Sequence, residues 1–317
     1  MPFDHLAAVV ALVEPLAQRF VDAGHRLYLV GGIVRDQWLD HDLSDSSDID
    51  LTTDAEPAAI KDLVSDLADA LWTQGERFGT IGLRFQGRAI EITTHRAESY
   101  TSDSRKPVVT FGDDIAVDLS RRDFTVNAMA IEVPSGELVD PWHGATDLEA
   151  QLLRTPLEPE ISFSDDPLRM LRAARFASRF DLEPSDELTA AAVDLCERLR
   201  IVAIERIGDE LERLFGLPDP KRGLRFLVET GLANELLTWK QPDAAPISLD
   251  RLHEAVASTV RLNQQTWQLR LATFLAAAIE NDVELEQRLD QLRLSRDHHR
   301  GIVDPVSYTH LRAPRDS

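Results

Sequence analysis

The sequence contains one cysteine, Cys196. No disulfide can therefore close within the chain, and a reducing compartment, the cytoplasm, fits. It also lacks a long apolar run. The best one away from the N-terminus, Leu271–Ile279, falls far short of the roughly 20 residues that span a bilayer, so no membrane partner is expected. The opening stretch carries Asp4 and Glu14 and no basic cluster. It reads as an amphipathic helix with Leu6, Val9, Val10, Val13, Leu16 and Phe20 on one side, not as a signal peptide. Positive charge is scarce: 34 Lys and Arg stand against 55 Asp and Glu, a net charge of −21. That excludes a protein that coats nucleic acid generically, and leaves open a specific RNA held by local patches. Lysine occurs only at Lys61, Lys106, Lys221 and Lys240. The remaining cations are arginines, the better donors for planar contacts to phosphate and base edges. No internal repeat is visible. At 317 residues, 43% of them hydrophobic, the chain is an ordinary folded protein of two or more domains.

What is present is concentrated in Leu27–Asp54, LYLVGGIVRDQWLDHDLSDSSDIDLTTD. Leu27–Val30 reads as a buried strand, Gly31-Gly32 breaks it, and Ile33–Leu39 reads as the following helix. Asp48-Ile49-Asp50 then places two carboxylates at i and i+2. On a strand over Asp48–Thr52 both face one side, while Ile49 and Leu51 enter the core. Two acids side by side repel unless a cation lies between them, and Mg²⁺ takes a few carboxylates together with phosphate oxygens. The glycines let backbone approach closely, and N–H groups at a helix start form an anion site. A Gly-Gly turn or a DxD triplet alone is commonplace. In this order the two point to nucleotidyl transfer.

Further on, Pro57–Leu71 has helical periodicity. Gly79–Phe85 and Ala89–Thr93 read as two strands joined at Gln86-Gly87-Arg88; Glu91, opposite in facing to Ile90 and Ile92, is either solvated or a ligand. Tyr100–Asp114, with Arg105-Lys106, reads as a mobile loop near a site. Asp118–Ile131 groups Arg121, Arg122, Asp123 and Asn127. Arg122 and Asp123 suit phosphate and ribose hydroxyls, or equally a surface ion pair. Leu138–Asp147 looks like a hinge, and after about residue 150 strand signals stop. Ser164–Arg169 opens a helix with an acid near the N-cap and Pro167 at about N1. Asp166 and Arg169 lie three apart on it, either reading a ligand or capping and solvating it. Ile204–Phe215 and Asp219–Leu237 are helical with a break at Gly231, Gln241–Pro246 is a linker, and Leu252–Leu294 is largely helical.

Together these segments resemble the class II nucleotidyltransferases, the family of tRNA CCA-adding enzymes and bacterial poly(A) polymerases. The motifs are GGIVRD with DID (31–36, 48–50), RRDFTVNAMA (121–130), DPWHGATDLEA (140–150), DDPLRMLRAARF (165–176) and ERIGDELERL (205–214). The resemblance implies an α+β fold. A nucleotidyltransferase head with a small mixed or antiparallel sheet spans 1–150, and an all-helical neck spans 151–218. An incomplete body spans 219–305, and 306–317 is a tail foreign to the native chain. It implies addition of C, C and A to tRNA 3′ ends from CTP and ATP, with Mg²⁺. Asp48 and Asp50 match the metal-binding pair and Glu91 the third catalytic acid. Gly31, Gly32 and Arg35 match the triphosphate site, and Arg122, Asp123 and Asn127 the ribose site. Asp166 and Arg169 match the base-reading pair, with Arg172 and Arg175 supporting phosphate. Poly(A) addition, partial CC- or A-addition, and a catalytically impaired tRNA-binding remnant share these motifs. In this family a metal-dependent phosphohydrolase domain is marked by His-Asp, but no such dipeptide follows residue 220, so that activity is not expected. The short C-terminal region implies weak affinity for tRNA.

Overall fold

The computed structural model describes residues 6–39, 49–99, 108–238, 245–262 and 265–279. The expected DID acid Asp48, the Arg105-Lys106 loop tip and residues 306–317 lie outside them. The chain divides into two units. One holds residues 1–150 with Arg154–Leu157, and the other Gln151–Leu153 with residues 158–317.

In chain order the first unit contains α1 (Ala7–Asp22), β1 (Leu27–Val30), α2 (Gly32–Arg35), β2 (Ile49–Thr53), α3 (Pro57–Val64) and β3 (Ala70–Trp72). There follow β4 (Thr80–Phe85), β5 (Arg88–Thr94), β6 (Arg96–Ser99), β7 (Val108–Phe111), α4 (Ile115–Ser120), β8 (Ala130–Val133), β9 (Leu138–Val139) and α5 (Gly144–Glu149). Its main sheet has seven strands in the order β3-β4-β5-β2-β1-β8-β9, and β6 pairs with β7 apart from it. Every neighbour in the main sheet is antiparallel except β2 and β5, which run parallel.

Alternation decides which face is covered. Ile49 and Leu51 of β2 and Ile90 and Ile92 of β5 are buried, while Asp50 and Glu91 between them are exposed. β1 is buried along its whole length because both faces are covered. On one face Tyr28 and Val30 pack with Ile115 and Leu119 of α4. The two-residue loop Gln86-Gly87 between β4 and β5 has φ of 48° and 78°, the twist-matched turn that joins antiparallel strands tightly.

Several segments differ from expectation, and the helix expected over Ile33–Leu39 ends at Arg35. The helix expected over Pro57–Leu71 ends at Val64, because Ala70–Trp72 leaves the helical path to pair with Gly82–Arg84. Val108–Phe111, expected within a loop, is a strand held by pairing with Arg96–Ser99. Leu252–Leu294 divides, as far as the described residues reach, into two separate helices.

The second unit is helical apart from the paired dipeptides β10 (Leu152–Leu153) and β11 (Glu183–Pro184). Its helices are α6 (Pro159–Asp165), α7 (Leu168–Arg179), α8 (Asp186–Leu195), α9 (Ile204–Phe215), α10 (Lys221–Glu229), α11 (Leu232–Leu237), α12 (Leu249–Arg261) and α13 (Trp267–Ala278). α7 packs on both α9 and α10. At Gly223 of α10 an added Cβ would lie 2.2 Å from the carbonyl oxygen of Ala174 in α7, so the two backbones meet with nothing between them. Gly223→Ala gains about 1 kcal/mol of helix propensity, whereas overpacking against backbone costs up to about 3 kcal/mol. The expected outcome is a net loss of about 1–2 kcal/mol, read as a lower urea midpoint for the helical unit.

Candidate active site

In the first unit the site forms where β1 turns into α2. Gly31 sits at φ +77°, and a Cβ there would come within 3.4 Å of Arg122 Nη1 and 3.8 Å of Asp50 Oδ2. Turn, carboxylate and guanidinium thus converge on one point. Asp50 and Glu91 are register partners across the parallel β2–β5 pair, side by side on the exposed face at a spacing of about 4.8 Å between strands.

Arg35 and Asn127, expected at the triphosphate and the ribose, are brought together and buried, at 6% and 8% exposure. Arg35 Nη1 donates to Asn127 Oδ1 at 2.6 Å, and its Nε and Nη2 donate to Asp36 Oδ1. Asn127 Nδ2 in turn donates to Asp123 Oδ1 at 2.9 Å. This chain of bonds ties α2, beneath the Gly31-Gly32 turn, to the segment carrying Arg122 and Asp123.

Asp118 anchors that segment from inside. It is 1% exposed, and its Oδ1 accepts from Arg121 Nε and Nη2 and from the backbone of Arg96. Its Oδ2 lies 3.5 Å from Arg122 Nη2. Burial by itself pushes the Asp118 carboxyl up, but the Arg121 and Arg122 guanidiniums outweigh it and hold the group below the usual carboxylate range. Nearby, His95 is fully buried, with Nδ1 2.9 Å from Thr52 Oγ1. Thr52 Oγ1 also lies 2.9 Å from Thr93 O. Burial holds the His95 pKa below its ordinary value.

The donor set fits a hard divalent cation: two exposed carboxylates lie side by side on a rigid strand pair, with oxygen ligands only. Among the described residues no group of three His, Cys, Asp or Glu side chains gathers as a metal site, and Asp48 lies outside them.

The second unit holds the remaining expected residues. Asp166 closes α6 rather than opening the next helix, and Pro167 takes the N-cap position of α7. Its carboxylate accepts from Leu168 N and pairs with Arg206 of α9 at 2.8 Å. Arg169 Nη1 donates to Ser162 Oγ of α6 at 2.8 Å. Arg172 and Arg175 both reach Glu210, which is 4% exposed and also pairs with Arg213. One buried carboxylate therefore organises three guanidiniums. Sequence reading missed Asp118, Arg206 and Glu210 as organisers. Asp118 lies three and four positions before the arginines it holds, a helical spacing that was there to be found. The pairs with Arg206 and Glu210 cross between helices and leave no local trace.

Comparisons with known proteins agree with this architecture. Residues 27–154 match the Poly A polymerase head domain, and 180–246 match the "Probable RNA and SrmB- binding site of polymerase A". A protein of Limosilactobacillus reuteri named CCA-adding enzyme is 34% identical over 289 residues, 91% of this chain and 67% of its own length. Other curated relatives of that name are spanned for only 58% or 66% of their length. Among solved structures, one described as "The structure of CCA-adding enzyme apo form II" superposes with a TM-score of 0.75 at 26% identity, over 97% of this chain and 72% of its own. The Bacillus stearothermophilus CCA-adding enzyme in complex with CTP gives 0.62 at 25% identity, over 92% and 84%. The first unit is thus a polymerase-type head. The chain belongs to the family of CCA-adding enzymes and poly(A) polymerases.

Two expectations test the buried network. Asp118→Asn removes the anionic partner of two guanidiniums and should cost about 3 kcal/mol, read as a lower urea midpoint for the first unit. His95 has a folded-state pKa below 6.5, so the unfolded chain takes up its proton first. Its contribution to stability is complete above 6.5 and is lost as pH falls toward the folded value. The urea midpoint should therefore decline between about pH 7 and pH 5, and more steeply than in His95→Asn.

Proposed function

We propose that the chain extends the 3′ end of tRNA, adding C, C and A from CTP and ATP and releasing pyrophosphate, with Mg²⁺ as the metal. The carrying observation is the pair Asp50–Glu91, side by side on the exposed sheet face and bordered by the Gly31 turn and Arg122. The lone cysteine fits the reducing cytoplasm.

Asp48 and Asp50 hold the metal, and Glu91 completes the acidic set beside them. Bound Mg²⁺ supplies charge neutralisation at the α-phosphate and leaving pyrophosphate and lowers the pKa of the attacking 3′-hydroxyl. The residues of the chain do the rest. Gly31 and Gly32 present backbone without side chains, so phosphate oxygens approach closely. Arg122 donates to phosphate, and Asp123 accepts from ribose hydroxyls. Arg35 acts from beneath, fixing the turn and, through Asn127, the carboxylate of Asp123.

In the second unit Asp166 accepts from the exocyclic amine of C or A, and Arg169 donates to the adjacent ring nitrogen. G and U reverse the polarity at those edges and leave both groups unmatched, the kind of mismatch that discriminates strongly. Arg172 and Arg175 contribute positive field from their cluster on Glu210.

The test uses tRNA transcripts ending before CCA, after C and after CC, each offered CTP, ATP or both. Addition of C, C and A, ending there, is the expected result. Asp50→Asn and Glu91→Gln should each lower the rate by roughly 10²–10³-fold, the scale of losing one preorganised electrostatic group. Termination after CC, addition of A alone, or long A tracts would replace this reading with the corresponding partial or polyadenylating activity. Binding of tRNA without incorporation would make the chain a non-catalytic remnant.

A further inference from the structure

The row of residues that contains the two acids does not end with them. Asp50 is register partner to Glu91, Glu91 to Gly82 on β4, and Gly82 to Trp72 on the edge strand β3. Register partners share a face, so Trp72, Glu91 and Asp50 stand in one line on the exposed side of the sheet. Gly82 supplies no side chain, and the Trp72 indole fills its place. A Cβ on residue 82 would fall 1.8 Å from Nε1 and 2.2 Å from Cε2 of the ring. The ring therefore lies over β4, reaching from its own strand toward Glu91. It is only partly buried, and among the described residues its N–H has no hydrogen-bond partner.

We propose that Trp72 is the platform on which the terminal base of the RNA acceptor stacks while that nucleotide's 3′-hydroxyl faces the acids. The inference rests on the nucleotidyl-transfer reading and adds to it a subsite for single-stranded RNA.

Three considerations carry it. From Glu91 to Trp72 is two strand spacings, of which the indole covers one. About 5 Å remains, the scale that separates a ribose hydroxyl from its own base. The second consideration is identity. The acceptor's last base changes with each addition, so its subsite has to tolerate any base. Stacking does so because every base has a π face, whereas a hydrogen-bonded subsite would not. The third is charge. A chain at −21 with few lysines gains less from phosphate attraction than a basic protein, and an uncharged contact is not weakened by that deficit.

The test is a binding cycle with the full chain. The probe is an RNA hairpin with a single-stranded 3′ end, terminated by an ordinary nucleotide or by an abasic ribose. Trp72→Leu keeps an apolar side chain over Gly82 without a π face; Trp72→Phe keeps a ring. We expect Trp72→Leu to weaken binding of the ordinary probe roughly 5- to 100-fold, and the abasic end to weaken the unaltered protein by a similar factor. The two changes combined should be no worse than either alone. Trp72→Phe should stay within about threefold of the unaltered protein, the KM for CTP should not move, and the Leu effect should persist at raised salt. Unaltered binding in Trp72→Leu, an abasic penalty of equal size in both proteins, or no RNA binding by the unaltered chain would each overturn the inference. Incorporation of CMP and AMP is read on the same samples. A cycle that couples without incorporation removes the nucleotidyl-transfer reading and keeps the stacking site; incorporation without coupling does the reverse.

Discussion

The parallel pairing of β2 with β5 is the constraint on which the candidate site depends. It is the one parallel contact in a sheet otherwise antiparallel among the described residues, and it puts Asp50 level with Glu91. Nothing attractive between two carboxylates would bring them there. The pairing is held from the other side, where Ile49, Leu51, Ile90 and Ile92 are buried. Sliding either strand by one residue would turn those four apolar side chains out to solvent and the acids into the core. Hydrophobic burial on one face thus fixes the separation of like charges on the other, and the cost of their repulsion falls on a register too expensive to change.

Positive charge in this acidic chain is organised by buried carboxylates. Asp118 gathers Arg121 and Arg122 in the first unit, and Glu210 gathers Arg172, Arg175 and Arg213 in the second. A buried carboxylate with one arginine is neutral and gains little over an apolar pair. With two or three it holds several guanidiniums at fixed positions. Arg175 shows the strain of this arrangement: burial, and beyond its Glu210 partner the neighbouring Arg172 and Arg213, hold its pKa below the ordinary arginine value.

Much of this was legible in the sequence, for a physical reason. β1, the Gly31 turn, β2 and β5 announce themselves because a short apolar run, a glycine pair and alternation of period two are local properties. Trp72 and its strand were not legible. Leu67 and Leu71 continue the helical spacing of Pro57–Val64, so periodicity runs past the true end of α3. Only the pairing with β4, a contact between segments distant in sequence, makes Ala70–Trp72 a strand. Val108–Phe111 hid behind its polar flank in the same way. Asp166 was found and its partner was not: the acid has a motif, whereas Arg206 reaches it across 40 positions of chain.

The proposed reaction asks opposite things of its two bases. The incoming base has to be told apart from its competitors, which calls for polar groups whose polarity only C and A satisfy; Asp166 and Arg169 have that character, one acceptor and one donor. The base already on the RNA has to be accepted whatever it is, which calls for a surface without polarity. An indole laid over a glycine is such a surface, and it requires the glycine as much as the tryptophan. A valine or threonine at position 82 would lift the ring off the sheet, because its Cβ would fall where the indole lies. The same cross-strand row therefore carries charge at one end and an indifferent aromatic face at the other, and the strand spacing that separates them is the length of one nucleoside.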